Sequence, residues 1–382
     1  MNSGAKFTDI QKSPPDSGHS CATQVSTVGK AWCELGNASA GLQSVQIIGL
    51  FLIGLFGIWW RYWRPRARRK RELATRGLTK KVIHVCDGRL TAICTNGLGT
   101  YFTGGFSGIV YELDAKRLAR KSEASFGLIR SLALLPSIRA ILVGSDDGTL
   151  SALDLDTFAA TRLLHVDSAI FAIARMDSDQ IALGLANGEV RIVEIQRSPA
   201  QAGFSTRALG GLKTHDGAVF GLSANRTEIL ACGAEGKIVW IARSNLAAAS
   251  TITIGKETLW SIAPGVSTQL FVAANSGDVH LVKAKKLSQT RRVHRASIRN
   301  LSMSPRGNWC FSMGKDRAVF ASTPALEESL LLHQTDDYIY DSAFSDAGNE
   351  LSICDGAGAV TIFGWRQSID NFSVAELRAA CT

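Results

Sequence analysis

Seven basic side chains, Lys283, Lys285, Lys286, Arg291, Arg292, Arg295 and Arg299, fall within seventeen residues. Such a cluster has the charge to hold phosphate groups, an anionic lipid or an acidic partner; its plainer reading is a solvated loop and strand. The other residue types that could do chemistry are scattered. The histidines (His19, His84, His165, His215, His280, His294, His333) do not group with carboxylates at ligand spacing. Gly97-Leu98-Gly99 and Gly104-Gly105 neither open a helix nor carry a lysine, so they read as turns rather than phosphate cradles. Asp146, Asp147, Asp316 and Asp355 read as turn formers, and no Gly-x-Ser-x-Gly elbow occurs. The eight cysteines show no CxxC and suit reduced, buried thiols, although Cys21 and Cys33 could pair if their region met an oxidising space. No catalytic, cofactor or metal site is therefore expected. An enzyme or small-molecule sensor would have to gather residues from distant parts of the chain.

The net charge of +9, from 42 Lys+Arg against 33 Asp+Glu, is confined to one segment. Residues 61–81 carry all of it, whereas 1–60 and 82–382 each sum to zero. A nucleic-acid-coating protein would spread such charge over a face, so nucleic acid is a disfavoured partner. The segment follows GLQSVQIIGLFLIGLFGIWW at 41–60, twenty residues without a charge. As a helix this run spans about 30 Å, the hydrocarbon thickness of a bilayer. Its central aliphatic and aromatic side chains favour insertion by roughly 3–6 kcal/mol.

Trp59, Trp60, Tyr62 and Trp63 form an aromatic belt, and Arg61, Arg64, Arg66, Arg68, Arg69, Lys70 and Arg71 interleave and follow it. That order predicts a transmembrane helix over 41–63 with the charged end in the cytoplasm, against inner-leaflet anionic headgroups. Residues 1–40 lack periodicity and read as a disordered tail outside. Residues 64–80 read as a basic juxtamembrane linker. The usage of Ala and Arg leans towards a bacterial inner membrane.

The remaining chain repeats. TGGFSGIVYELD, VGSDDGTLSALD, LGLANGEVRIVE, CGAEGKIVWIA, AANSGDVHLVK, MGKDRAVFAST and CDGAGAVTIFG share a turn mark at Gly108, Gly148, Gly188, Gly236, Gly277, Arg317 and Gly358. The steps are 40, 40, 48, 41, 40 and 41 residues, and an aliphatic residue stands two places after every mark. An x-Gly turn between two alternating runs is a hairpin. Each hairpin is preceded by another alternating run (IRSLALL, IFAIARM, VFGLSAN, LWSIAPG, IRNLSMS, IYDSAFS). A fourth strand fits in each connection. Four strands per unit, seven times, predict an all-β, seven-bladed propeller over 81–370.

On these repeats the chain resembles the WD-repeat family. The closing dipeptide stands as Leu113-Asp114, Leu153-Asp154 and Val193-Glu194 in three repeats and is lost in the last four; the histidine before the first strand is matched by His215 and His294. The resemblance implies that the strand at 81–85 closes the ring as the outer strand of blade seven. It also implies a non-catalytic scaffold for protein partners, here at a membrane, such as a subunit or assembly factor of a membrane complex. The eight extra residues in SPAQAGFSTRALGG are expected as a rim loop, and 371–382 as a short tail with no assigned role.

Overall fold

A computed structural model describes residues 78–114, 117–177, 179–198 and 203–381. The chain divides into two units, Met1–Arg71 and Glu72–Thr382, and the described residues belong to the second. The expected tail at 1–40, the helix at 41–63, its aromatic and basic border, and the pair Cys21 and Cys33 lie outside the described residues. Among the described residues no helix is long and apolar enough to cross a membrane.

Seven four-stranded antiparallel sheets follow one another along the chain. Blade one is Leu90–Thr95, Thr100–Gly105, Ile109–Asp114 and Leu118–Glu123. The innermost strands of the others are Ile129–Leu135, Ile170–Arg175, Val219–Ala224, Leu259–Pro264, Ile298–Met303 and Ile339–Phe344. Each innermost strand packs beside the next, and the seventh returns to the first, so they ring a central channel. The last blade takes its outer strand from the start of the described chain: Leu78–His84 pairs with Ala359–Trp365, Ile83 opposite Val360. Closure therefore occurs as expected, but Leu78, Thr79 and Lys80, assigned to the linker, already belong to that strand.

Two positions explain why the period was visible. The first residue of every innermost strand is aliphatic and almost wholly buried: Leu90, Ile129, Ile170, Val219, Leu259, Ile298 and Ile339. Burying each contributes about 1.5–3 kcal/mol and locks one blade onto its neighbour. The turn mark adopts a left-handed backbone in all seven blades, φ 69° at Gly108 and 81° at Gly148, and even Arg317 is held at 67°. At Gly148 a Cβ would overlap the carbonyl oxygen of Val166, whose amide donates to Gly148 O at 2.9 Å. Glycine thus serves both the turn and the close approach of the incoming connection.

Three sequence expectations change. The extra residues of repeat three do not form a rim loop. They lengthen two strands, Glu189–Ser198 and Gly203–Lys213, into a ribbon whose tip, 199–202, lies outside the described residues. Gly104 and Gly105 end a strand, whereas Gly97 and Gly99 do form a turn with φ of 74° and 83°.

The segment 371–382 is not a bare tail. It holds a helix, Val374–Cys381, started by a capping box in which Ser373 and Glu376 exchange side-chain and backbone bonds. Leu377 is fully buried beside Trp309 and Trp365. Just before it, Asp370 accepts from the Ser304 hydroxyl and from the amides of Arg306 (2.9 Å) and Asn308 (3.1 Å). The C-terminal segment is thereby clasped to a turn of blade six.

Candidate functional site: the channel mouth

Every pairing of an innermost strand with its neighbour shifts register between the first and third residues. A bulge bends the strand and re-aims the extra side chain. The bulged residues are Thr91, Arg130, Phe171, Phe220, Trp260, Arg299 and Tyr340. All seven line one cavity of about 500 Å³ at the channel. Their side chains form an ordered circle. Phe171 and Phe220 stand with ring centroids 5.0 Å apart, Phe220 and Trp260 4.3 Å apart. The Arg130 guanidinium lies 5.0 Å over Phe171 at one end of this arc, and that of Arg299 3.8 Å over Trp260 at the other. Arg299 also faces Tyr340 at 5.9 Å.

The two arginines are short of anions. Arg130 reaches Asp146 only at 3.7 Å, and its buried Nε has no hydrogen-bond partner among the described residues. Arg299 makes cation–π contacts but neither an ion pair nor a hydrogen bond among the described residues. Burial lowers the pKa of both; Asp146 and Tyr340 oppose it at Arg130, and at Arg299 Tyr340 opposes it while the charge of Arg130 adds to it.

Below the circle, third-position side chains stitch the blades together. Ser131 accepts from the Ile173 amide and Ser261 from the Leu301 amide, each at 3.1 Å. Asp341 accepts from the Ile93 amide at 2.9 Å and from Asn300 Nδ2 at 2.7 Å. Burial, against hydrogen bonds from Ile93, Ser342 and Asn300, pushes the Asp341 carboxyl up to about 7.

The basic cluster disperses in three dimensions. Lys285 bonds Glu228 and Ser250 at 2.7 and 2.9 Å, and Arg291 donates to the carbonyls of Leu326 (2.8 Å) and Glu327. Arg292 donates to His294 O at 2.9 Å and lies 3.9 Å from Asp278. Lys283, Lys286 and Arg295 remain outside such contacts, on separate strands and a loop. Arg299 belongs to the channel instead. Hence three members of this cluster hold outer strands and connections in place, three do not, and one joins the site.

One array resembles a hydrolase triad. His294 Nε2 stands 2.8 Å from Ser312 Oγ, and its Nδ1 2.8 Å from Asp316 Oδ1, a grouping that sequence spacing did not reveal. Burial raises the Asp316 pKa, but hydrogen bonds from His294 and the Arg295 and Ala318 amides outweigh it and keep the carboxyl below its ordinary range. His294 is 1 % exposed and Ser312 0 %, with the Phe320 ring edge-on to the imidazole at 4.8 Å. No acyl group can reach that hydroxyl, so the array braces blade six. His215 is likewise buried, held by Thr214 at 2.8 Å and by Lys237 O at 3.2 Å.

No protein-family model matches the chain, and no curated protein matches it. Among solved structures it is similar to the WD40 β-propeller domain of Doa1, with a TM-score of 0.64 at 14 % identity, covering 77 % of this chain and 98 % of that one. The fold is a seven-bladed β-propeller, the architecture class of that neighbour. At this identity the likeness is one of architecture.

Proposed function

We propose that the protein is a membrane-anchored, non-catalytic propeller that presents a binding surface to protein partners. The observation that carries the reading is the channel mouth: seven bulges on a rigid ring aim aromatic and cationic side chains into one accessible cavity. Aromatic residues and arginine are the types that dominate binding energy at interfaces. The WD40 architecture supports the same reading by analogy of fold. Anchoring rests on the uncharged run 41–60 and the +9 segment after it, which together put the N-terminus outside and the propeller in the cytoplasm. A role as subunit or assembly factor of a membrane complex follows from placing such a surface beside a bilayer, with anionic headgroups held by residues 61–81.

The test is affinity capture of full-length protein from detergent-solubilised membranes, compared with a variant lacking 41–63. A specific stoichiometric partner is expected in the first; absence of any partner above background would refute the scaffold role. Cytosolic-side protease should digest the propeller and spare the N-terminal tail, and the reverse protection would refute the orientation. A second reading, a small-molecule sensor or enzyme working in the channel, is favoured by the convergence of Arg130, Asn300, Tyr340 and Asp341 on the cavity. It predicts saturable binding of a small ligand by the purified protein without a partner. Phosphate or lipid recognition by 283–299 is less well supported, since Lys285, Arg291 and Arg292 are engaged within the fold.

A further inference from the structure

The mouth specifies more than a generic interface. Its aromatic arc, Phe171, Phe220 and Trp260, is bracketed at both ends by guanidinium groups, so apolar area and positive charge alternate around one rim. Cation–π contacts orient these guanidiniums, Arg299 has no ion pair among the described residues, and Arg130 has one carboxylate only at 3.7 Å with its Nε buried; the remaining guanidinium N–H groups match carboxylates in geometry and charge. Two like charges sharing a half-buried mouth repel each other, and an anion between them relieves that repulsion. The fixed carboxylates supply it only in part: Asp146 serves Arg130 alone, at 3.7 Å, and Asp341 is committed to the Ile93, Ser342 and Asn300 donors.

The surroundings indicate the size of the ligand. The connections entering the innermost strands and the turns after the second strands emerge on the same face as the bulges. That face also carries exposed Phe106, Phe126 and Tyr338. Exposed apolar side chains are therefore available on that face outside the cavity, which suits a chain segment better than a small molecule.

We infer that the channel mouth binds an acidic peptide segment of a protein partner, its carboxylates on Arg130 and Arg299 and an adjacent aromatic or aliphatic side chain on the Phe171–Phe220–Trp260 arc. This rests on the scaffold reading and names the chemistry of its partner.

The test is selection of a random-sequence displayed peptide library on full-length protein in detergent, followed by fluorescence anisotropy with the enriched peptide. Expected are peptides with Asp or Glu next to Phe, Tyr, Trp or Leu. Binding should weaken at least ~10-fold with Arg130→Gln or Arg299→Gln, as for loss of one charge-assisted contact. Replacing the peptide's acids by their amides should do the same, and added NaCl should weaken binding to the unaltered protein, a result independent of whether the variants fold. No enrichment, enrichment of neutral or basic peptides, or unchanged binding by both folded variants would overturn the inference. So would displacement by inorganic phosphate but not acetate, which would make the mouth a phosphate site. If membrane capture recovers the same partner with Arg130→Gln/Arg299→Gln as with the unaltered protein, the scaffold reading stands and this inference alone falls.

Discussion

Arg317 occupies a position that glycine fills in the other six blades, and the substitution Arg317→Gly should stabilise the protein. Its φ of 67° lies in the left-handed region, which costs a residue with a Cβ about 1–2 kcal/mol. Glycine removes that cost but adds freedom to the unfolded chain, taking back about 0.4–1 kcal/mol. The lost side-chain contact is small, because Arg317 Nη1 reaches Asp336 O only at 3.4 Å on the surface. The bonds that matter to the turn are backbone-based: Thr335 N–H donates to Arg317 O at 2.8 Å and its hydroxyl at 3.2 Å, and both survive in glycine.

The net gain is about 0–1.6 kcal/mol, centred on ~0.8. Spread over the unfolding entropy of a domain of roughly 300 residues, it raises Tm by about 1–2 °C. Gly148→Ala is the mirror experiment. It adds the left-handed cost and drives a Cβ onto the Val166 carbonyl, so it should lose about 2 kcal/mol or more. Calorimetry and urea titration of full-length protein should therefore give shifts of opposite sign. A lower stability for Arg317→Gly, or a neutral Gly148→Ala, would refute the account of the turn mark.

Two further outcomes follow from buried carboxyl groups. Asp341 has a folded-state pKa near 7 against about 3.9 unfolded, so its contribution is full below pH ~4 and is lost as pH rises through 7, with a slope of at most about 1.4 kcal/mol per pH unit. Because Asp341 is only partly buried, the slope should be shallower. It is read as the difference between unaltered protein and Asp341→Asn in urea titrations from pH 4.5 to 8 (about the interval between the two pKa values), which cancels the opposing histidine contributions. A pH-independent difference would exclude a raised pKa. Asp370→Ala should cost about 2–4 kcal/mol, since the Ser304, Arg306 and Asn308 donors lose one shared acceptor. Hydrogen exchange should then speed up selectively in the helix Val374–Cys381, and uniform protection there would show that the clasp is dispensable.

The propeller was legible because packing and turn geometry impose the same residue types at each step: an aliphatic at the head of each innermost strand, a residue fit for positive φ at each turn. The channel mouth was not. Its residues, Thr, Arg, Phe, Phe, Trp, Arg and Tyr, share a position but no residue type, and nothing in a run such as IRSLALL marks its second residue as bulged. Arg299 was noticed for the wrong reason, as one of seven nearby charges, because proximity along the chain ignores which strand face a side chain occupies. The His294–Asp316 pair was missed for a related reason: twenty-two residues separate its members, and only the turn of blade six brings them within 2.8 Å. The capping box Ser373-Val374-Ala375-Glu376 is readable in the sequence, but it stands outside the repeat.

These contrasts locate where the protein is free to differ from other propellers of the same architecture. A change at the first position of an innermost strand opens a cavity between blades, and a change at the turn mark strains the backbone. A change at the second position does neither, because its side chain projects from a bulge into solvent-accessible space. Its residue type is therefore set by what the mouth contacts. A ring that leaves Arg299 without an ion pair among the described residues, and Arg130 with one only at 3.7 Å, in a propeller segment of zero net charge runs against electrostatic self-energy, which favours close pairing within the fold, as Lys285 is paired with Glu228 at 2.7 Å. Outside the cores between blades, where they stack only on one another, the two charges are best accounted for by an anion that arrives from outside, and the aromatic arc between them by the apolar group that arrives with it.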